Sequence, residues 1–124
     1  MLFRSIVVAD AHFPAAALAR RLIRLDGVGA APVVAAIASV MPLDAFVDMP
    51  AAAMQVVGDP RAIPEAVSDF SGILDRAEGR RIAIEMIERQ TFYDRSRAAF
   101  AVVQTGEART YANLILKKGV VRLG

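Results

Sequence analysis

Short runs of β-branched and aliphatic residues alternate along the chain with segments whose apolar residues recur every three or four positions. Such interleaving predicts strands and helices in turn, and hence a layered α/β domain. Ser5-Ile-Val-Val-Ala9 reads as a buried strand that stops at Asp10 and runs into a loop through His12, Phe13 and Pro14. From Ala15 to Leu25 two patterns compete. The alanines favour helix, whereas Arg21-Leu-Ile-Arg-Leu25 before Asp26-Gly27 suits a strand ending at a turn. Beyond Gly29 and Pro32, the positions of Val33, Val34, Ile37, Val40 and Met41 have helical spacing, and Pro42 stops the pattern. Ala53-Met-Gln-Val-Val57, bracketed by Pro50, Gly58 and Pro60, suits a strand. Pro64 with Glu65 starts a helix whose apolar stripe is Ile63, Val67, Phe70, Leu74 and Ala77, and Gly79 closes it. Strands are expected over Arg81–Ile87, Phe100–Gln104 and Ala112–Leu116, with a short polar helix over Gln90–Ala98. The sheet then has about five or six strands, covered by helices.

A length of 124 residues fits one domain, residues 1–124. Hydrophobic residues make up 56% of the chain and charged residues 23%, more apolar material than one small core accommodates. Subunit interfaces are therefore expected. Lys and Arg exceed Asp and Glu by only 15 to 13. The basic residues, Arg20-Arg21 with Arg24, Arg80-Arg81, Arg95 with Arg97, and Lys117-Lys118, are scattered without interleaved aromatics. That distribution argues against a nucleic-acid partner, which needs clustered charge. The absence of cysteine excludes disulfides, thiolate catalysis and thiolate-bound zinc, and suits a reducing compartment. One histidine, His12, excludes a multi-histidine metal site. Arg4 and Asp10 interrupt the only stretch that could serve as a secretory leader. No apolar run approaches the ~20 residues that span a bilayer. The expectation is a soluble, cytoplasmic protein without a membrane partner.

Candidate chemistry is sparse. Asp10 stands at the carboxyl end of a strand, where open α/β sheets bind ligands. It can accept sugar hydroxyls, or equally cap a helix or satisfy loop amides. If Tyr111-Ala-Asn113 enters a strand, a phenol and a carboxamide share one face and offer the mixed donors and acceptors a polyol needs. The alternative is a tyrosine packing its ring beside an asparagine that caps a turn. Arg89 follows a strand, where its guanidinium can hold a sugar oxygen, orient Asp10, or stand exposed beside Glu88. Phe92, Tyr93 and Phe100 suit core, interface or a stacking platform. His12 is a candidate acid or base, because an unperturbed imidazole changes charge near neutrality, or a hydrogen-bonded structural residue. Asp44 is a candidate supporting group near the site, or a loop residue. Phosphate cradle, nucleophile elbow and close carboxylate pair are all absent.

Ile6-Val-Val-Ala-Asp-Ala-His-Phe-Pro-Ala15, Phe92-Tyr-Asp-Arg-Ser-Arg-Ala-Ala-Phe-Ala-Val-Val-Gln-Thr-Gly-Glu107 and Tyr111-Ala-Asn-Leu-Ile-Leu-Lys-Lys-Gly119 together resemble the fucose mutarotase and ribose pyranase family. The ordered Thr-Gly-Glu, Tyr-x-Asn and Leu-Lys-Lys-Gly series is the most specific part. The resemblance implies a three-layer α/β/α domain, ring-like, decamer-type homo-oligomers with sugar sites near subunit contacts, and sugar contacts from Asp10, Arg89, Tyr111, Ala112 and Asn113. An arginine at Arg89 favours the fucose branch over the ribose branch. The implied reaction interconverts α and β anomers of a free monosaccharide such as L-fucose by acid-base ring opening and closure, with no cofactor and no metal. Members of this family usually carry a helix and a Gly-His-Gly-Asp-like segment before the first strand, its histidine acting as proton donor. Met1-Leu-Phe-Arg-Ser5 stands in that place here. The expectation is either a truncated chain or a variant that binds sugar without efficient turnover. Tyr111, and less directly His12, then remain as proton-transfer groups. Two rivals to the enzyme are a non-catalytic sugar-binding or regulatory protein and a purely structural ring protein.

Overall fold

The computed structural model describes residues 4–119. Met1, Leu2 and Phe3, and the expectation placed on them, lie outside the described residues. The elements in chain order are β1 (Ser5–Ala9), α1 (Ala15–Leu18), β2 (Leu22–Leu25), α2 (Ala30–Val40), β3 (Ala51–Met54), α3 (Glu65–Glu78), β4 (Ile84–Ile87), α4 (Arg89–Ala98), β5 (Ala101–Thr105) and β6 (Leu114–Lys117). The six strands form one sheet in the order β2-β5-β1-β6-β3-β4. β6 runs antiparallel to both β1 and β3, and every other pairing is parallel.

Because side chains alternate along a strand, every strand except the exposed edge strand β2 feeds two cores. Val8, Ala51, Ala53, Val103, Leu114 and Leu116 meet α2 and α3 through Val33, Val34, Phe70 and Leu74. Val7, Ala9, Ala52, Met54, Val102 and Ile115 meet α1 and α4 through Leu18 and Phe92, with Phe13 beside them. Helices on both faces of the sheet give the three layers.

The competition between Ala15 and Leu25 resolves into both answers, a single helical turn and then an edge strand. α3 starts after Pro64 and ends at Gly79, whose left-handed φ of 69° lets its N–H close onto the Asp75 carbonyl. Its buried stripe is shorter than expected: Ala66, Val67, Phe70 and Leu74 are inside, while Ile63 and Ala77 face out. In α2 the exception is Val40, 82% exposed at the last helical position. The strand expected over residues 53–57 is shifted. β3 ends at Met54, and Val56 and Val57 enter a tight turn closed by Val56 and Asp59, with Gly58 at φ 83°.

Gly106 and Gly119 answer to close backbone approach. A Cβ on Gly106 would fall on the Asp26 carbonyl oxygen, and one on Gly119 would lie 2.5 Å from that of Leu43. Asp44 is held nearby, its N–H donating to Lys117 at the far end of β6 and its carboxylate accepting the Phe46 N–H at 2.9 Å. It is a loop residue at the opposite end of the sheet from Asn113, which corrects the expectation of a group supporting the site.

Candidate functional site

The strand order decides which loops meet. β1, β3 and β4 are mutually parallel in direction, so their carboxyl ends share one edge, and the antiparallel β6 begins at that same edge. Asp10 after β1, Met54 at the end of β3, Arg89 beyond β4 and Asn113 before β6 are thereby gathered. Phe13, Tyr93 and Tyr111 join them from the α1 and α4 side of the sheet. Asp10, His12, Phe13, Pro14, Met54, Arg89, Tyr93, Thr110, Tyr111 and Asn113 border one cavity of about 220 Å³. A second cavity, about 330 Å³, adjoins it through Arg89 and is lined by Gln55, Val57, Glu88 and Gln90.

Asp10 is 1% exposed, and its carboxylate is anchored by backbone. One oxygen accepts the His12 N–H at 2.9 Å and the other the Ala112 N–H at 3.1 Å. Its own N–H donates to Asn113 Oδ1 at 2.9 Å. This contact fixes the Asn113 amide, leaving its NH₂ as a double donor. The reading of Asp10 as a holder of loop amides and its reading as a cavity group are therefore both realised. These amides, rather than Arg89, orient the carboxylate.

Asn113 does not lie in the strand expected over residues 112–116, and Tyr111 does not enter it either. Tyr111 has φ 58° and β6 begins only at Leu114. Ala112 N–H and Asn113 Oδ1 bond Asp10 instead of a neighbouring strand, which keeps the stretch out of the sheet. The phenol nevertheless borders the cavity, and its oxygen accepts the Val57 N–H at 3.1 Å. That contact uses an acceptor position and leaves the O–H free to donate.

Arg89 follows β4 and is the first residue of α4, one position ahead of the helix start expected at Gln90. The helix begins there because Glu88 caps it, its carboxylate accepting the Thr91 N–H at 3.0 Å. Nε2 of His12 lies 2.9 Å from the Ala108 carbonyl. A carbonyl only accepts, so Nε2 carries the proton of the neutral ring and Nδ1 remains its acceptor. Phe92 is buried core, Phe13 meets Phe92 and Tyr93 edge-on at 5.8 and 5.6 Å, and Phe100 is exposed under the Arg21 guanidinium. Of the three aromatics singled out, only Tyr93 borders the cavity.

Sequence reasoning missed Phe13 and Met54, which complete the cavity's apolar wall beside Tyr93. The rule that singled out Asp10, position at a strand's carboxyl end, applies equally to Met54. It also missed how Thr105-Gly-Glu107 builds the site's support. Thr105 Oγ1 donates to the Ala9 carbonyl at 2.8 Å, Gly106 N–H donates to Val28, and Glu107 accepts the Ala30 N–H at 3.2 Å. α2 has no cap from its own Gly29, so Glu107 caps it from across the fold. The hydrogen bonds from Arg109, together with burial and the two backbone amides, set the Glu107 carboxyl, and the Arg109 contact dominates in holding it below the usual 4.5. Among the described residues, no three His, Cys, Asp or Glu side chains are grouped to hold a metal ion, and no helix is long and apolar enough to cross a membrane.

Residues 3–121 match the family model described as the RbsD / FucU transport protein family. The chain is 43% identical to the fucose mutarotase of Homo sapiens, across 95% of this chain and 80% of that protein. Identity to the L-fucose mutarotase of Actinobacillus pleuropneumoniae serotype 5b is 38%, across 93% and 80%. Among solved structures, the fucose mutarotase of Streptococcus pneumoniae in complex with L-fucose superposes with a TM-score of 0.89 at 40% identity, covering 97% of this chain and 85% of that one.

Proposed function

Because the chain belongs to the RbsD / FucU family, we propose that it is an isomerase interconverting the α and β anomers of free L-fucose or a closely similar monosaccharide. The observation that carries this reading is the convergence of Asp10, Arg89, Tyr111 and Asn113 on one cavity of about 220 Å³. That volume lies below the ~300–1,000 Å³ typical of sites for drug-sized ligands, which suits a single sugar ring. The polar inventory also suits a polyol. Asn113 and Arg89 donate, Asp10 keeps lone pairs beyond those its two amides use, and Tyr111 has its O–H to offer. Phe13, Met54 and Tyr93 supply the apolar counterpart that a sugar's C–H face or methyl group needs.

Ring opening takes the proton from the anomeric hydroxyl and delivers a proton to the ring oxygen, as the bond from C1 to that oxygen breaks and C1 becomes a carbonyl. Rotation about the C1–C2 bond and reclosure on the other face reverse both transfers. In this reading Asp10, Arg89 and Asn113, with the Ala112 backbone, hold the sugar. The Tyr111 hydroxyl exchanges the proton at the ring oxygen, and His12 Nδ1 is the outside candidate for the anomeric proton. Positioned acid-base groups contribute ~10²- to 10⁴-fold each. A second reading, sugar binding without efficient turnover, is favoured by the engagement of His12, the one histidine of the 124 residues, with the Ala108 carbonyl. Exchange NMR on L-fucose separates the two. Faster interconversion of the anomeric signals with protein supports the isomerase, and binding with an unchanged exchange rate supports the second reading.

A further inference from the structure

Three of the five positions proposed to face the sugar, Tyr111, Ala112 and Asn113, lie on a segment that belongs to no helix or strand, between β5 and β6. Tyr111 adopts a left-handed φ of 58°, which is unfavourable for a non-glycine residue and must be imposed by its surroundings. Two residues earlier stands Arg109, the hub of the densest charged cluster among the described residues.

Its Nε and one terminal nitrogen take both oxygens of Glu107, at 3.1 and 3.3 Å, while its backbone N–H donates to the same carboxylate at 3.2 Å. The other terminal nitrogen reaches Asp69 at 2.9 Å and Glu65 at 3.3 Å, both in α3. Glu107 is itself immobilised, because it accepts the first N–H of α2 and its side chain is only 13% exposed. The fork therefore bolts the segment to the starts of two packed helices. Glu65 contributes least, being the most exposed partner. Without the guanidinium, three carboxylates would face one another at the root of the loop.

Arg109 itself does not border the cavity that holds Asp10 and Arg89. We infer that Arg109 is a positioning residue for that cavity: it fixes the backbone leading into Tyr111, and through Ala112 and Asn113 the hydrogen bonds that orient Asp10. The inference builds on the sugar-site reading above, but the placement of Tyr111 can be read without sugar.

The chain has two tyrosines, Tyr93 and Tyr111, so fluorotyrosine incorporation gives two ¹⁹F resonances, assigned with Tyr93→Phe. Arg109→Met removes charge and fork, and Arg109→Lys keeps the charge alone. The Tyr111 resonance is expected to move in Arg109→Met and to move less in Arg109→Lys, with Tyr93 unchanged. The L-fucose Kd should rise about tenfold or more in the methionine variant and recover in part with lysine. Asp69→Asn, a milder loosening that keeps the Glu107 pair, should shift Tyr111 in the same direction and decides the matter if the methionine variant does not fold. A stationary Tyr111 signal in folded Arg109→Met, or in both milder variants, overturns the inference. So does parallel movement of both tyrosines, which marks a general loss of structure. If wild-type protein takes up no L-fucose, the sugar reading fails while the ¹⁹F comparison still decides the role of Arg109.

Discussion

Asp10 supports two loop amides with its carboxylate and borders the cavity with what remains of it. Asp10→Asn replaces one of those oxygens with an NH₂ that faces an N–H, so one buried amide loses its acceptor. Denaturant unfolding should show a loss of about 1–3 kcal/mol, together with weaker L-fucose binding. Tyr111→Phe is the more selective probe of turnover, since it removes the hydroxyl and keeps the ring. Exchange NMR should show L-fucose interconversion falling by about 10²-fold or more, and an unchanged rate would remove Tyr111 from the chemistry. Glu107 makes a pH prediction. Its folded pKa lies below the ordinary 4.5, so the unfolded chain binds the proton more readily. Its contribution is present above pH 4.5 and is lost as pH falls through the folded value. Denaturant titrations between about pH 6 and about pH 3 should show stability declining toward acid, less steeply in Glu107→Gln. At this scale Asp10 was legible in the sequence, because an abrupt acid after an apolar run marks a strand end. The left-handed Tyr111 was not, since tyrosine carries no signal for that conformation and the groups that hold its flanks, Arg109 with its carboxylates and Asp10 on the Ala112 N–H, meet only in the fold.

Elements were legible where punctuation was local. Pro64 and Gly79 delimit α3, and Asp10 delimits β1, because each residue acts on its own backbone. They were misread where a distant group decides. Val56 and Val57 are a local exception, strand-like residues drawn out of the sheet by the adjacent turn at Gly58. Ala112 and Asn113 read as strand, yet their hydrogen bonds go to Asp10. The cap of α2 was not legible for the same reason, being supplied by Glu107 from across the fold. Phe92 of α4 is fully buried in the core behind Phe13 and Met54. Phe92→Ala should lower unfolding stability by about 3–5 kcal/mol, with sugar affinity falling as the apolar wall relaxes. Ligand titration of the folded variant would show this.

For the whole molecule, alternation of strand and helix announced the layers, but not the strand order. Pairing between β1 and β6 joins residues more than a hundred positions apart, and nothing local encodes it. Yet that antiparallel insertion between β1 and β3 brings Asn113 beside Asp10. The apolar surplus is visible on the outside, where the edge strand β2 exposes Leu22, Ile23 and Leu25, and Val40 and Phe46 also face out. Unpaired edges and exposed aliphatics favour self-association, so light scattering at micromolar concentration should return a mass above that of one 13.3 kDa chain. The most direct test of the proposed site is a crystal structure with L-fucose bound. The sugar should lie in the cavity between Asp10, Arg89, Tyr111 and Asn113, with its hydroxyls on those groups and its apolar face toward Phe13, Met54 and Tyr93. L-fucose bound elsewhere, with this cavity empty at saturating sugar, would contradict it.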